Sequence, residues 1–160
     1  MSKVSEGLPH RHLLTLKLNV DSANATQVGK TPEGSRTIAP ISGGSFEGDR
    51  LKGEVLPSGA DWVLFRADGT MKIDVRLTLQ TDCGAAIYLT YQGRFLDAAK
   101  VMRDLAEGKA LEPGSYSLVT VASFEAGDER YSWLNDVIAV GVGEQSGFNP
   151  VYRIYEIGGA

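Results

Sequence analysis

Cysteine occurs once in the 160 residues, as Cys83, so no intramolecular disulfide framework is available. That fits a reducing compartment, and the sequence reads as a cytoplasmic protein. Histidine occurs twice, as His10 and His12. A Ser-His-Asp or Cys-His site would have to recruit one of these two, and a zinc site would lack ligands. Long apolar runs are also missing. "MSKVSEGLPHRH" holds no signal-peptide core, and no stretch approaches the ~20 residues of a membrane helix. Positive charge is in deficit, with 16 Lys and Arg against 20 Asp and Glu, a net charge of -4 and a pI near 5.2. Without a basic block, neither nucleic acid nor a membrane surface is an expected partner. The glycine-rich "SGGSFEG" lacks the lysine of a phosphate-binding loop and the spacing of a dinucleotide turn, so no cofactor and no metal are expected.

What is present is ordinary globular material, 42% hydrophobic and 22% charged, enough for one domain over 1–160. "HLLTLKLNV" alternates Leu14, Leu16, Leu18 and Val20 against polar neighbours, the period of a strand with one buried face. "ANATQVGKTPEGSR" reads as a loop, and 36–56 as two or three short strands broken by Gly43, Gly44, Gly48 and Gly53. Asp68-Gly69 between two alternating runs marks a tight hairpin. The one helix expected is 96–108, with Leu96, Ala99, Val101, Met102, Leu105 and Ala106 on one face and Gly108 as its stop. Further strands follow to the end. The expected fold is mainly all-β: a single antiparallel barrel of about eight to ten strands with one α-helix, lipocalin-like, behind a flexible tail at 1–12.

Candidate site residues cluster in "GADWVLFRADGTMKIDVRLTLQTDCGAAIYLTY" (59–91). Alternation puts Met71, Ile73, Val75, Leu77 and Leu79 on one face and Lys72, Asp74, Arg76 and Thr78 on the other. The simpler reading makes the second face a solvated exterior. The functional one turns it inward, with Arg76 meeting a carboxylate, enol or phenolate. Asp61 either caps a turn or enters a site beside Trp62. Asp82, at a strand end in "TDCG", is a turn residue, or a general base if buried. In "YSWLND", an extended chain would put Tyr131, Trp133 and Asn135 on one face, suited to an oxygenated organic ligand. The alternative is a core tryptophan and a turn-forming asparagine.

The stretch 43–94, "GGSFEGDRLKGEVLPSGADWVLFRADGTMKIDVRLTLQTDCGAAIYLTYQGR", resembles the first motif of the domain of unknown function 3237 family. "SFEAGDERYSWLNDVIAVGVG" (123–143) resembles the second. The resemblance implies a β-barrel with one helix and dimers, and it implies no particular activity. It matches Asp61, Trp62, Asp74, Arg76, Asp82, Tyr88, Tyr131, Trp133 and Asn135, and so favours a cavity on their side. The chain departs from the family pattern at Asp49, where proline is usual, and at Cys83, where Asp or His is frequent. It also lacks the Tyr-Phe-Arg run and the proline before Phe-Glu, which puts one presumed pocket wall in doubt.

The functional expectation combines the two lines. A small oxygenated molecule, aromatic or polyketide-like, binds inside the barrel. Asp61, Arg76 and Asp82 act as acid-base and electrostatic groups in an isomerase, cyclase or lyase that needs no cofactor. Trp62, Asp74, Tyr88, Tyr131, Trp133 and Asn135 shape the pocket, and the protein assembles as a homodimer or higher oligomer. The alternatives are a non-catalytic ligand-binding protein and a structural or assembly protein with no cavity.

Overall fold

The computed structural model describes residues 7–158. Among these residues nine strands run in chain order as β1 (His10–Val20), β2 (Thr26–Thr31), β3 (Gly34–Glu47), β4 (Lys52–Phe65), β5 (Met71–Thr81), β6 (Ala86–Phe95), β7 (Leu118–Ala126), β8 (Ile138–Ser146) and β9 (Asn149–Ile157). Among the described residues a single α-helix, α1 (Ala98–Ala106), lies between β6 and β7. All neighbouring strands are antiparallel, in the order β1-β9-β8-β7-β6-β5-β4-β3, and β1 pairs with β3 to close an eight-stranded barrel. Closure removes the unpaired edges that an open sheet of this size would present.

The closure depends on the length of β3. Its second half, from Ile41 to Glu47, pairs with β1, whereas its first half, from Gly34 to Ile38, pairs with β2. The ninth strand thus extends the wall at one end of the barrel. Gly43 and Gly44 lie at φ 155° and 149°, inside β3, where its register against β4 shifts. A Cβ on Gly44 would lie 2.1 Å from the Lys17 carbonyl oxygen, so only glycine lets β1 come this close.

Alternation decides what fills the interior. Leu14, Leu16 and Leu18 of β1, the five apolar residues of β5 from Met71 to Leu79, and Ile87, Leu89 and Tyr91 of β6 are all buried. One end of the barrel is plugged by a 3-10 helix, Glu129–Asp136, whose Leu134 is fully buried and whose Tyr131 is nearly so. At the other end Ala98, Val101, Met102 and Leu105 of α1 lean on the rim. The Ala99 N–H donates to the Gly69 carbonyl in the β4–β5 turn, which ties the helix there.

Several local expectations are corrected. The segment 23–36 is not a loop throughout, since it contains β2 and the start of β3. The expected tail is strand from His10, where His10 and His12 both stand edge-on to Tyr155. Residues 1–6 lie outside those described. Gly43 and Gly44 bend one long strand rather than ending a short one. The helix is shorter than 96–108: Leu96 precedes it and is exposed, and Asp97 takes the left-handed conformation at its start. No helix among the described residues is long and apolar enough to cross a membrane.

Candidate functional site

The interior is not filled to the rim. Between the α1 end and the middle of the barrel lies a cavity of about 340 Å³. This falls within the range of small-molecule sites. Its walls are mainly apolar: Val63 and Phe65 of β4, Met71 and Ile73 of β5, Phe95 of β6 and Met102 of α1. Polar groups enter at few points. Gln27 and Thr37 stand on the β2–β3 extension, Gln145 at the end of β8, and Asp61 and Tyr152 deeper in the wall. The β8–β9 turn carries the exposed Phe148 to the mouth and is held there when the Val20 N–H donates to Asn149 Oδ1 at 3.0 Å. The Gln145 N–H donates to Tyr116 Oη at 2.8 Å, which fixes the last residues of β8.

Asp61 is the unusual group. On β4 it shares the inward face with Val63 and Phe65, and its cross-strand neighbours are Ala39 and the buried Val75. One hydrogen bond reaches its carboxylate, from the Asp74 backbone N–H to Oδ1 at 3.2 Å. Burial pushes the Asp61 carboxyl up from 3.8 to about 7; the Asp74 N–H opposes this and the Asp74 charge adds to it. A carboxylic acid that exchanges its proton near neutrality, in an apolar cavity, is matched to general acid-base work.

Two tyrosines stand beside it. Tyr91 of β6 and Tyr152 of β9 come from different parts of the wall and meet inside the barrel, with ring centroids 5.1 Å apart and planes at 60°. They are 2% and 3% exposed. Small residues make the room: Tyr91 faces Ala122, and a Cβ on Gly143 would come within 2.8 Å of the Tyr152 ring. Burial is the main cause that holds both phenols well above the ordinary value of 10.0, and the Asp61 charge adds to it; Tyr152 raises Tyr91 further, whereas Tyr91 opposes the shift of Tyr152. Both therefore keep their protons at neutral pH and act as donors, not as bases.

Comparison with known proteins fits this architecture. The model of the family described as "Protein of unknown function (DUF3237)" matches residues 9–157. The chain belongs to the DUF3237 family. A UPF0311 protein of Rhodopseudomonas palustris is 27% identical over 150 residues, spanning 94% of this chain and 97% of its own. The crystal structure of a beta-barrel like protein from Acinetobacter baumannii has 34% identity and a TM-score of 0.82, with 98% of this chain and all of that one covered. An enzyme from Penicillium herquei shares the fold, at 21% identity and a TM-score of 0.70, over 99% of this chain and all of that one.

Of the residues marked by the DUF3237 motifs, Asp61 alone enters the cavity. The face of β5 with Lys72, Asp74, Arg76 and Thr78 looks outward, because Met71 to Leu79 on the other face supply the core. Arg76 is exposed and lies over the outward Trp62 ring, 5.7 Å from its centroid. Asp74 and Tyr88 line a shallow external groove with Arg76. The inward reading of Arg76, Asp74, Trp62 and Tyr88 is thus corrected by the demand of the barrel for an apolar interior. Asp82 is exposed in the β5–β6 turn, its N–H donating to the Lys52 carbonyl.

The second motif folds as the plug, not as a strand, so Tyr131, Trp133 and Asn135 do not share a pocket face. The Asn135 side chain accepts from the Ala126 N–H at 2.8 Å and donates to the Ala126 carbonyl at 2.9 Å, a clamp from the 3-10 helix to β7. Arg50 stacks on Trp133 at 4.2 Å. Tyr131 Oη lies 3.1 Å from Cys83 Sγ, which is also 3.3 Å from Thr81 Oγ1. All of these are at the plugged end. Tyr152 and Gln145 escape the sequence reading, since each looks like one more residue of an alternating strand. Among the described residues no three His, Cys, Asp or Glu side chains gather as a metal would require.

Proposed function

We propose that the barrel binds a small, largely apolar, oxygenated organic molecule, aromatic or polyketide-like, and rearranges it by proton transfer, as an isomerase, cyclase or lyase without a cofactor. The observation that carries this is Asp61, a carboxyl pushed up to about 7 inside a cavity of about 340 Å³. As carboxylate it takes a proton from the substrate; as acid it returns one. Near neutrality both forms are populated, which is where a general acid-base catalyst is most effective. The apolar walls exclude water, and so strengthen each electrostatic contact with the reacting atoms. A carrier would need the cavity without the titrating group, so Asp61 favours chemistry over storage. A fold of this shape houses an enzyme in Penicillium herquei.

The test uses deuterium. The protein is incubated in D2O with a panel of small aromatic ketones, enones and phenols, and exchange at carbon is followed by NMR. The expected outcome is exchange of at least one panel member, rising with pH around 7 and lost in Asp61→Asn. Exchange at the same rate in Asp61→Asn, or binding with no exchange anywhere in the panel, would overturn the assignment of Asp61 as the base.

A further inference from the structure

We propose that Tyr152 is the hydrogen-bond donor that holds a substrate carbonyl oxygen, with Tyr91 behind it as a positioning residue, so that the substrate class is a ketone or enone reacting through its enolate. This rests on the reading of Asp61 as the proton-transfer group and names what stands opposite it.

The argument is one of placement. Asp61 and Tyr152 line the same cavity from different strands, β4 and β9, so a small molecule between them meets a base and a donor at once. Tyr91 is packed against Tyr152 at a ring distance of 5.1 Å and does not itself line the cavity. In the proposed arrangement the Tyr91 hydroxyl, brought beside Tyr152 by the ring contact, donates to the Tyr152 oxygen, so that the Tyr152 proton is left for another acceptor. A phenol in a water-poor site is a strong donor to an oxygen that gains charge during reaction, and it is already oriented before charge develops. Carboxylate base plus phenol donor is also the minimum set for proton transfer next to a carbonyl.

The step balances with these groups alone. The Asp61 carboxylate removes a proton from the carbon beside the carbonyl. The C–H electron pair becomes the C=C bond of the enolate, and the carbonyl π pair moves to the oxygen held by Tyr152. Asp61, now the acid, gives the proton back at the same carbon or at the far end of the conjugated system, and the C=O bond re-forms. Return at the far carbon yields an isomer and leaves Asp61 ionised for the next turnover.

Phenolates mimic enolates in charge and in the geometry of the oxygen, and 4-nitrophenol reports its own ionisation by colour. The probes are therefore 4-nitrophenol and nitrobenzene, which has the same ring without the hydroxyl. Both are titrated into the full chain carrying Asp61→Asn, which removes the competing negative charge, and then into the same protein with Tyr152→Phe or Tyr91→Phe added. The expected result is a bound, yellow phenolate with Asp61→Asn, and an affinity lower by roughly tenfold to a hundredfold with Tyr152→Phe, the effect of losing one donor to an oxyanion. Nitrobenzene affinity should be unchanged. Tyr91→Phe should give a smaller loss and raise the apparent pKa of the bound phenol, a shift that a merely structural role would not produce. Equal phenolate affinity with and without the Tyr152 hydroxyl would overturn this inference and leave the Asp61 reading intact. Failure of both probes to bind any of the proteins would overturn both. Should Tyr152→Phe not fold, an unchanged bound-phenol pKa in Tyr91→Phe would by itself refute the arrangement.

Discussion

Asp61→Asn should make the protein more stable, and only over part of the pH range. The folded protein holds the Asp61 carboxyl at about 7, against 3.8 in an exposed chain. Between those values the folded state binds a proton that the unfolded state has released, so stability falls as pH rises from about 4 to about 7. Below about 4 the acid is protonated in both states and no penalty exists. Above about 7 the penalty is complete, and at 1.36 kcal/mol per pH unit it amounts to ~4 kcal/mol. Asparagine cannot ionise, and its Oδ1 can still accept the Asp74 N–H. The measurement is urea unfolding of both proteins at intervals from pH 4 to pH 9. The difference in unfolding free energy should grow across that window and level off at a few kcal/mol in favour of Asn. Surface carboxylates such as Asp68 and the half-buried Asp128, which their arginine partners hold down at about 2, contribute with the opposite sign at lower pH. They are common to both proteins and cancel. A flat difference across pH 4–9 would show that Asp61 is not desolvated in solution and would remove the basis of the acid-base reading.

Other expectations follow from residues outside the cavity. Asn135→Ala leaves the Ala126 N–H and C=O without their clamp, and urea unfolding should show a loss of about 1–3 kcal/mol with ligand binding in the surviving folded fraction intact. Arg76→Ala should change stability by less than about 0.5 kcal/mol and leave 4-nitrophenol binding in the Asp61→Asn background unaltered, since it removes an exterior side chain; a large loss of binding would mean that the cavity has been placed on the wrong side of β5. The outer face of β7 and β8 exposes Val119, Val121, Ile138 and Val142 at 42%, 57%, 65% and 39%. We expect a second copy to cover them, so Val121→Glu should lower the sedimentation coefficient relative to the parent protein.

The sequence carried the barrel well because its strands state their own sidedness. On β5 the run from Met71 to Leu79 needs no partner information to announce a buried face. The same rule, applied to β4, places Asp61 with Val63 and Phe65, and that is the signal for an acid turned inward. Motif membership pulled in another direction. Trp62, Arg76 and Tyr88 lie among the matched residues but on the outside, and nothing local separates a conspicuous exterior residue from one that lines a cavity. Tyr152 was invisible for a different reason. Its placement depends on Tyr91, 61 positions away, and on the space left by Gly143, and neither relation is written in its own neighbourhood. "YSWLND" misled because its alternating aromatics satisfy strand periodicity, whereas the Asp128 side chain, accepting from the Arg130 N–H, starts a 3-10 turn instead.

The cavity is roofed by three separate additions to the barrel: the β2 extension, helix α1 and the β8–β9 turn. Asp61, Tyr91 and Tyr152 sit below them on strands whose pairing continues around the whole circumference. The proposed chemistry and its selectivity therefore reside on different parts of the chain. Under the proposed function, substitutions or length changes in the roof would retune which molecule enters while Asp61 and the two tyrosines stay as they are. A designer could graft new lids onto this frame one at a time.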